Sequence, residues 1–302
     1  MISDTYGFNL ITEDGKVYKW GQGRTSQTLL DLPWPIRSIS SRRNNTVVIT
    51  FEGKVHRTEF PHEEILLKVP ATSISIDYEM WLVLTLDGKV YKQTNDDLTL
   101  IELPLPAFHV CSSGYDCYII TIDGSVYAIG NNTCGQLGLG QIDYIARLVP
   151  IKVLLDEPVI LVTTGSVHCV LLTTSGAVYT CGGNVDSQLG LGTRGDADVV
   201  TPTICPLTSP CITIASGGWH NFALLGNGEL YSWGDGSLGE LGIDVDDTCH
   251  PTLVDFEGEV VSISAGSGHS MLLTTDGRLY GCGDVYGGGV RQSKFTEIEV
   301  IE

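Results

Sequence analysis

One phrase recurs seven times along the chain and sets what it can fold into. It runs turn residue, glycine, short residue, Val or Leu, and usually tyrosine. The copies are EDGKVYKWG (residues 13–21), FEGKVHRT (51–58), LDGKVYKQ (86–93), IDGSVYAIG (122–130), TSGAVYTCG (174–182), GNGELYSWG (226–234) and TDGRLYGCG (275–283). The turn glycines are Gly15, Gly53, Gly88, Gly124, Gly176, Gly228 and Gly277, spaced 38, 35, 36, 52, 52 and 49 residues apart. Asp-Gly or Asn-Gly between two apolar runs specifies a tight hairpin, because the turn needs a positive φ that glycine supplies. An apolar strand such as MLLTT or YIITI precedes each turn and another, such as RLYGCG, follows it. A third strand lies upstream (VVSISAG, ITIASGG), and a fourth, often with proline at its start (HPTLVDF, TPTICPL, RLVPIKV), lies between units. Proline in a sheet belongs at a strand start or an edge, so the fourth strand is expected on the outside.

Four antiparallel strands per unit, repeated around an axis, make a propeller blade, and each unit buries its faces only against its neighbours. The expectation is an all-β, seven-bladed β-propeller with four antiparallel strands per blade, formed by residues 1–302 as one domain. The first unit has only residues 1–4 for its upstream strand, so the terminal strand around residues 295–301 is expected to help seal the ring.

Charge and cysteine usage narrow the function. Seventeen basic residues stand against 36 acidic ones, a formal net charge of −19. Nucleic acid is bound by neutralising its phosphates with Lys and Arg, so it is not an expected partner, whereas a basic protein would be steered to this surface. The nine cysteines form no CxxC pair. Cys111, Cys117, Cys169, Cys181 and Cys282 sit inside apolar strand patterns, where a thiol behaves as a small hydrophobe. Unpaired thiols point to an intracellular chain, cytoplasmic or nuclear. No signal peptide, membrane-spanning run or prenylation cysteine is read, and a monomer is expected.

The later units carry more than the hairpin. NNTCGQLGLG (131–140) and NVDSQLGLG (184–192) share QLGLG, with a degenerate copy, GSLGELGID, at 236–244. SGGWHNFALL and AGSGHSMLLT share a glycine-histidine turn. Together these resemble the regulator of chromosome condensation family over about residues 111–283. The first three units lack the Gly-Gln-Leu-Gly loop, which accounts for their shorter spacing. The founding member of that family exchanges nucleotide on the small GTPase Ran, and others are β-lactamase inhibitors, a plant ultraviolet-B photoreceptor and scaffold modules of ubiquitin ligases. The resemblance therefore implies either a regulator of a Ras-like GTPase, at most a guanine nucleotide exchange factor, or a non-catalytic scaffold or inhibitor. The family's exchange factor uses acidic and histidine residues in the turns of one face plus an inserted hairpin wedge, and no wedge insertion is visible here.

Equivalent turns of a ring share a face. Eight residues before the hairpin glycines stand Gly7, Asn45, Met80, Asp116, His168, His220 and His269, and the residues just ahead of them include Tyr6, Arg42, Arg43, Tyr78, Tyr115 and Trp219. Tyr, Trp and Arg are the types enriched where partners bind, so these six are the candidate partner contacts. Asp77, Glu79, Asp116, His168 and His220 are the candidates for exchange, the carboxylates competing for the lysine of a GTPase phosphate loop. The histidine series has a second reading, in which each imidazole pins a turn. Tyr18, Trp20, Tyr127, Tyr179, Tyr231 and Tyr280 lie in the repeat phrase and read as blade packing. Other chemistry is thin: GxxxxGK[ST] and HExxH are absent, and no metal or cofactor is expected. Asp244, Asp246 and Asp247 lack the glycine and terminal glutamate of a calcium loop and read as a solvated acidic turn. Asn44-Asn45-Thr46 and Asn131-Asn132-Thr133 are sequons by chance in a cytosolic chain.

Overall fold

The computed structural model describes residues 2–4, 7–21, 24–42, 45–58, 64–76, 81–94, 97–113, 116–195, 197–285 and 291–300. Their secondary structure is strand and turn, without helix. Seven four-stranded antiparallel sheets follow one another along the chain, at residues 2–30, 36–65, 71–101, 107–152, 159–204, 211–253 and 260–298. Together they form a β-propeller. Blade four is representative: Ala107–Ser113 is its inner strand, Asp116–Thr121 the second, Val126–Asn132 the third and Asp143–Lys152 the outer.

The predicted hairpins join second and third strands. Their glycines have φ between +76° and +88°. Five of the hairpins are also tied to the next blade. Gly15, Gly53, Gly88, Gly124 and Gly176 offer their carbonyls to the N–H of Ile36, Ala71, Ala107, Val159 and Cys211, which open the next inner strands, at 2.8–3.0 Å. Five prolines, Pro35, Pro70, Pro106, Pro158 and Pro210, stand just before those residues. The prolines that sequence assigned to the outer strands are there too, but Pro150, Pro202 and Pro251 lie within the strands, not at their starts. An edge strand tolerates this because half its N–H groups face away from the sheet.

The second strands are buried along their length, as in Asp116–Thr121, His168–Thr173 and His220–Leu225. Their side chains alternate between the two seams of a blade. Cys169 and Leu171 face back to Tyr118 and Ala128 of blade four, while Val170 and Leu172 face forward to Ala223 and Trp233 of blade six.

Among the described residues, closure uses no shared strand. Ile2–Asp4 completes blade one by pairing with Gly7–Ile11, and Thr296–Ile298 completes blade seven by pairing with Leu279–Gly281. The expected seal at the terminus is therefore a packed face: Ile298, with Met271, Leu279 and Val285, lies against Phe8, Tyr18 and Trp20 of blade one.

Candidate functional site

The face opposite the hairpins carries the turns between inner and second strands together with the QLGLG loops. Counting back from the glycines located these turns correctly. Second strands open at Gly7, Asn45, Asp116, His168, His220 and His269, and Met80 lies outside the described residues just ahead of Trp81.

The QLGLG loops are seam-sealing devices. The Gln136 and Gln188 side-chain oxygens accept from the N–H of Cys134 and Asp186, both at 2.9 Å. Leu137, Leu189 and Leu241 are fully buried. The glycine after each leucine has φ near +68° and lies against the next blade: a Cβ on Gly190 would stand 2.8 Å from the Trp233 ring. Backbone carbonyls of the loops are capped from that next blade, Gln188 by Asn221 Nδ2 (2.8 Å) and Trp233 Nε1 (3.1 Å), Glu240 by Ser270 Oγ (2.8 Å).

The histidines take the pinning role. His168 Nε2 lies 2.8 Å from Asn221 Oδ1 and His220 Nε2 lies 2.7 Å from Ser270 Oγ, each partner belonging to the following blade. Both rings are buried, and burial pushes His168 down to about 4 and His220 to about 3, so both are neutral at physiological pH. Asp116 is buried as well. Of the exchange candidates, these three therefore lie in the seams between blades, away from open solvent. Asp77 and Glu79 lie outside the described residues, as do Tyr6, Arg43, Tyr78 and Tyr115. Arg42 ends the inner strand of blade two, and its side chain is not described.

Trp219 is half-buried on a rigid turn. Ser166 N–H donates to Gly218 O (2.9 Å), and Gly218 N–H to Gly266 O (3.0 Å), linking the turns of blades five, six and seven. A Cβ on Gly217 would meet the His220 ring at 2.3 Å and Gly266 O at 2.4 Å, so the turn has no room to shift. The Trp219 carbonyl accepts from Asp235 N–H at 3.0 Å.

These turns rim the mouth of the central channel, a cavity of about 250 Å³. Small polar side chains at the ends of the inner strands line it, among them Ser40, Ser75, Ser112, Thr163, Ser216 and Ser267. Many bond across blades: Ser112 Oγ to Ser75 Oγ (2.8 Å), Thr163 Oγ1 with Ser216 Oγ (2.7 Å), and Ile76 N–H to Ser40 Oγ (3.1 Å). The sequence held this signal in SISS, SISI, VCSS, VTTG and IASG, phrases that by pattern alone read only as strands.

The same face is acidic at blades five and six. Arg194 pairs with Asp247 (3.1 Å), and Arg291 with Asp246 (2.5 Å) and Asp244 (3.8 Å). Burial, aided by Asp235 and Asp247, raises Asp186. The acidic turn is thus spanned by arginines, and among the described residues no three His, Cys, Asp or Glu side chains are placed to hold a metal ion. None of the nine cysteines is in a disulfide, and burial pushes Cys111 up to about 11 and Cys205 to about 12, far from a reactive thiolate. The face carries hydroxyls, carboxylates and an indole on a fixed turn.

The family model described as the regulator of chromosome condensation (RCC1) repeat matches residues 123–172, 175–224 and 227–273, and a second model of the same description matches 211–240. Residues 123–273 are thus built of regulator of chromosome condensation repeats. Each matched repeat begins at a hairpin and ends in the next blade's second strand, so one sequence repeat spans one seam. The mouse X-linked retinitis pigmentosa GTPase regulator is 37% identical over 129 residues, 42% of this chain and 13% of that protein. The Drosophila melanogaster regulator of chromosome condensation is 33% identical over 130 residues, 42% of this chain and 23% of that protein. The aligned stretches thus span less than a quarter of these relatives. Among solved structures, Prp20p of Saccharomyces cerevisiae superposes with TM-score 0.78 at 17% identity, covering 88% of this chain and 80% of that one. Human WBSCR16 gives 0.80 at 19%, covering 92% and 85%. At these identities the structural likeness establishes the fold.

Proposed function

We propose that this chain binds a small Ras-like GTPase through the channel-mouth face and regulates it, as a guanine nucleotide exchange factor. The observation that carries the reading is the turn Gly217–Trp219, which hydrogen bonds from both neighbouring blades hold rigid and which presents an indole beside an open polar mouth. A preorganised aromatic on a fixed scaffold is the kind of residue that dominates binding energy. Relatives support the partner class: one is named a GTPase regulator, and the work on Prp20p reports its binding to Gsp1p and histones. Exchange needs no nucleophile. It needs preferential binding to the nucleotide-free GTPase, which shifts the population away from the nucleotide-bound form. With Asp116, His168 and His220 in the seams, that role falls to Asp77 and Glu79. Nine cysteines outside any disulfide support an intracellular setting for the encounter.

A second reading, a scaffold or inhibitor that binds without moving nucleotide, is favoured by the seam positions of three of the five exchange candidates. The deciding experiment measures release of a fluorescent guanine nucleotide from a panel of small GTPases at saturating protein. Accelerated release, slowed by Glu79→Ala, supports exchange. Binding with unchanged release for every GTPase that binds gives the scaffold reading its place. Trp219→Ala should weaken binding by at least ~2 kcal/mol, roughly thirtyfold.

A further inference from the structure

The hairpin face, opposite the channel-mouth face, has a regularity of its own. The residue two before each turn glycine is Phe51, Leu86 and Ile122 in blades two to four, where blades five to seven have Thr174, Gly226 and Thr275. These three apolar side chains are exposed, at 54%, 71% and 62%. Their N–H groups all donate to the carbonyls of the linker prolines, Pro35, Pro70 and Pro106, so the three tips hold the same station in successive blades.

Fourteen residues before each of these positions, the inner strand carries a bulge. In blades four to seven the bulged residue is Phe108, Ile160, Ile212 or Val261, all 42–58% exposed and all at the register shift that opens the inner strand. Ile212 Cγ2 lies 3.7 Å from where a Gly226 Cβ would stand, so bulge and hairpin tip adjoin. Each of blades two to seven therefore shows at least one exposed apolar residue at this level, and the set forms a ring around the far end of the channel. A single exposed leucine is ordinary; a ring of them on rigid backbone marks an interaction surface.

The surroundings choose the occupant. Between Lys152 and Arg278 the sequence has one Lys or Arg, Arg194, and that one is bound to Asp247 on the other face. On the hairpin face of blades four to seven the linkers carry exposed Asp156, Asp255, Glu257 and Glu259 with no Lys or Arg among them. The hairpin cations Lys16, Lys54, Lys89 and Arg278 are each paired with a carboxylate of their own turn, Asp14, Glu52, Asp87 and Asp276. Over blades four to six a second copy would therefore bring unpaired carboxylates against unpaired carboxylates and be repelled, as would an anionic membrane or nucleic acid. We propose that the hairpin face is a second docking surface, for a basic protein segment that anchors apolar side chains on this ring.

The test uses the full chain and a short synthetic peptide of leucine and lysine, labelled for fluorescence anisotropy. A control peptide carries glycine in place of each leucine. The variants are Leu86→Asp with Ile122→Asp, and separately Ile160→Asp with Ile212→Asp. All four positions are exposed, and circular dichroism checks that the fold persists. Expected are salt-sensitive binding of the leucine peptide, weaker binding of the glycine peptide, and at least ~tenfold loss in either variant. Equal affinity for both peptides, or unchanged affinity in both variants, overturns the proposal. So does a concentration-dependent dimer in sedimentation that Leu86→Asp abolishes, since the occupant is then a second copy.

Discussion

Glu240 stands where the two preceding repeats hold Gln136 and Gln188, and like them it is fully buried and accepts a loop N–H, from Leu238 at 2.8 Å. A carboxylate in an amide's place lacks the amide's second donor. Burial pushes Glu240 up from 4.5 to about 7, with Asp235 adding to the rise and Arg291 opposing it. The unfolded chain releases this proton near 4.5 and the folded chain near 7. Stability is thus lost as pH rises between those values, by up to ~3 kcal/mol, and stays lost above. Glu240→Gln should raise the melting temperature at about pH 8 and leave it unchanged near pH 4; a parent-like melting curve at both pH values would refute this account. The seam histidines work in the other direction. His168 and His220 are depressed from 6.5 to about 4 and 3, so the stability they support is full above 6.5 and falls as pH drops toward 4. The two slopes overlap between 4.5 and 6.5, where two histidines outweigh one glutamate, and only the glutamate acts from there to about 7, so these groups together place the maximum near 6.5, in mildly acidic solution. Thermal melts of the parent across pH 4 to 8 should show that maximum, and a steady rise to pH 8 would count against it.

At the scale of elements, two forces act on the hairpin glycines, and different blades separate them. Gly277 has φ +83° and no atom within 4 Å of where a Cβ would stand, so Gly277→Ala meets only the left-handed backbone penalty. That penalty is ~1–2 kcal/mol. Gly88 has φ +76°, but a Cβ there would stand 2.5 Å from Pro106 Cβ, in the staple to blade four. Gly88→Ala should therefore cost a further ~1–3 kcal/mol for overpacking. Urea unfolding of the two variants measures the difference, and equal losses would mean the staple yields freely. These glycines are also why the fold was legible in the sequence. A positive φ can be met locally only by a few residue types, so it leaves a mark at a fixed place in every repeat, and the count of blades and the seats of the opposite turns follow from it. What a seam buries leaves no such mark. His168 finds Asn221 and His220 finds Ser270 about fifty residues on, across a blade boundary, so one repeat read alone does not distinguish a pinning imidazole from a contact. The apolar tips Phe51, Leu86 and Ile122 stand in the very phrase that defines the repeat. There they look like the ends of the apolar strands that precede them, and only their exposure in the folded chain sets them apart.

For the whole molecule the decisive seam is the one where the chain's first and last blades meet. Within the described residues no strand of blade one pairs with blade seven, so this seam lacks the ladder hydrogen bonds that would latch it. What holds it is the apolar cluster, in which Phe8 and Trp20 stack with ring centroids 4.7 Å apart and face Met271, Leu279 and Ile298. Every other seam is bridged by chain running directly from one blade to the next, which keeps the two faces at high effective concentration. This one joins faces far apart in sequence, whose closure entropy must be offset by the contacts across the seam. Trp20→Ala removes the largest side chain of the cluster and should cost ~3–5 kcal/mol, as for other buried tryptophans. Deleting residues 295–302 takes away Ile298 and the outer strand of blade seven together, baring the third strand Leu279–Gly283 as an unpaired edge. Such an edge is a template for pairing with another molecule, so the shortened chain should both melt earlier and associate with rising concentration. Trp20→Ala leaves every strand paired, so it should lower the melting temperature without association. Differential scanning calorimetry with sedimentation on both variants tells the two effects apart. If the shortened chain melts like the parent and sediments as a single unassociated species, the last strand has no part in closing the ring.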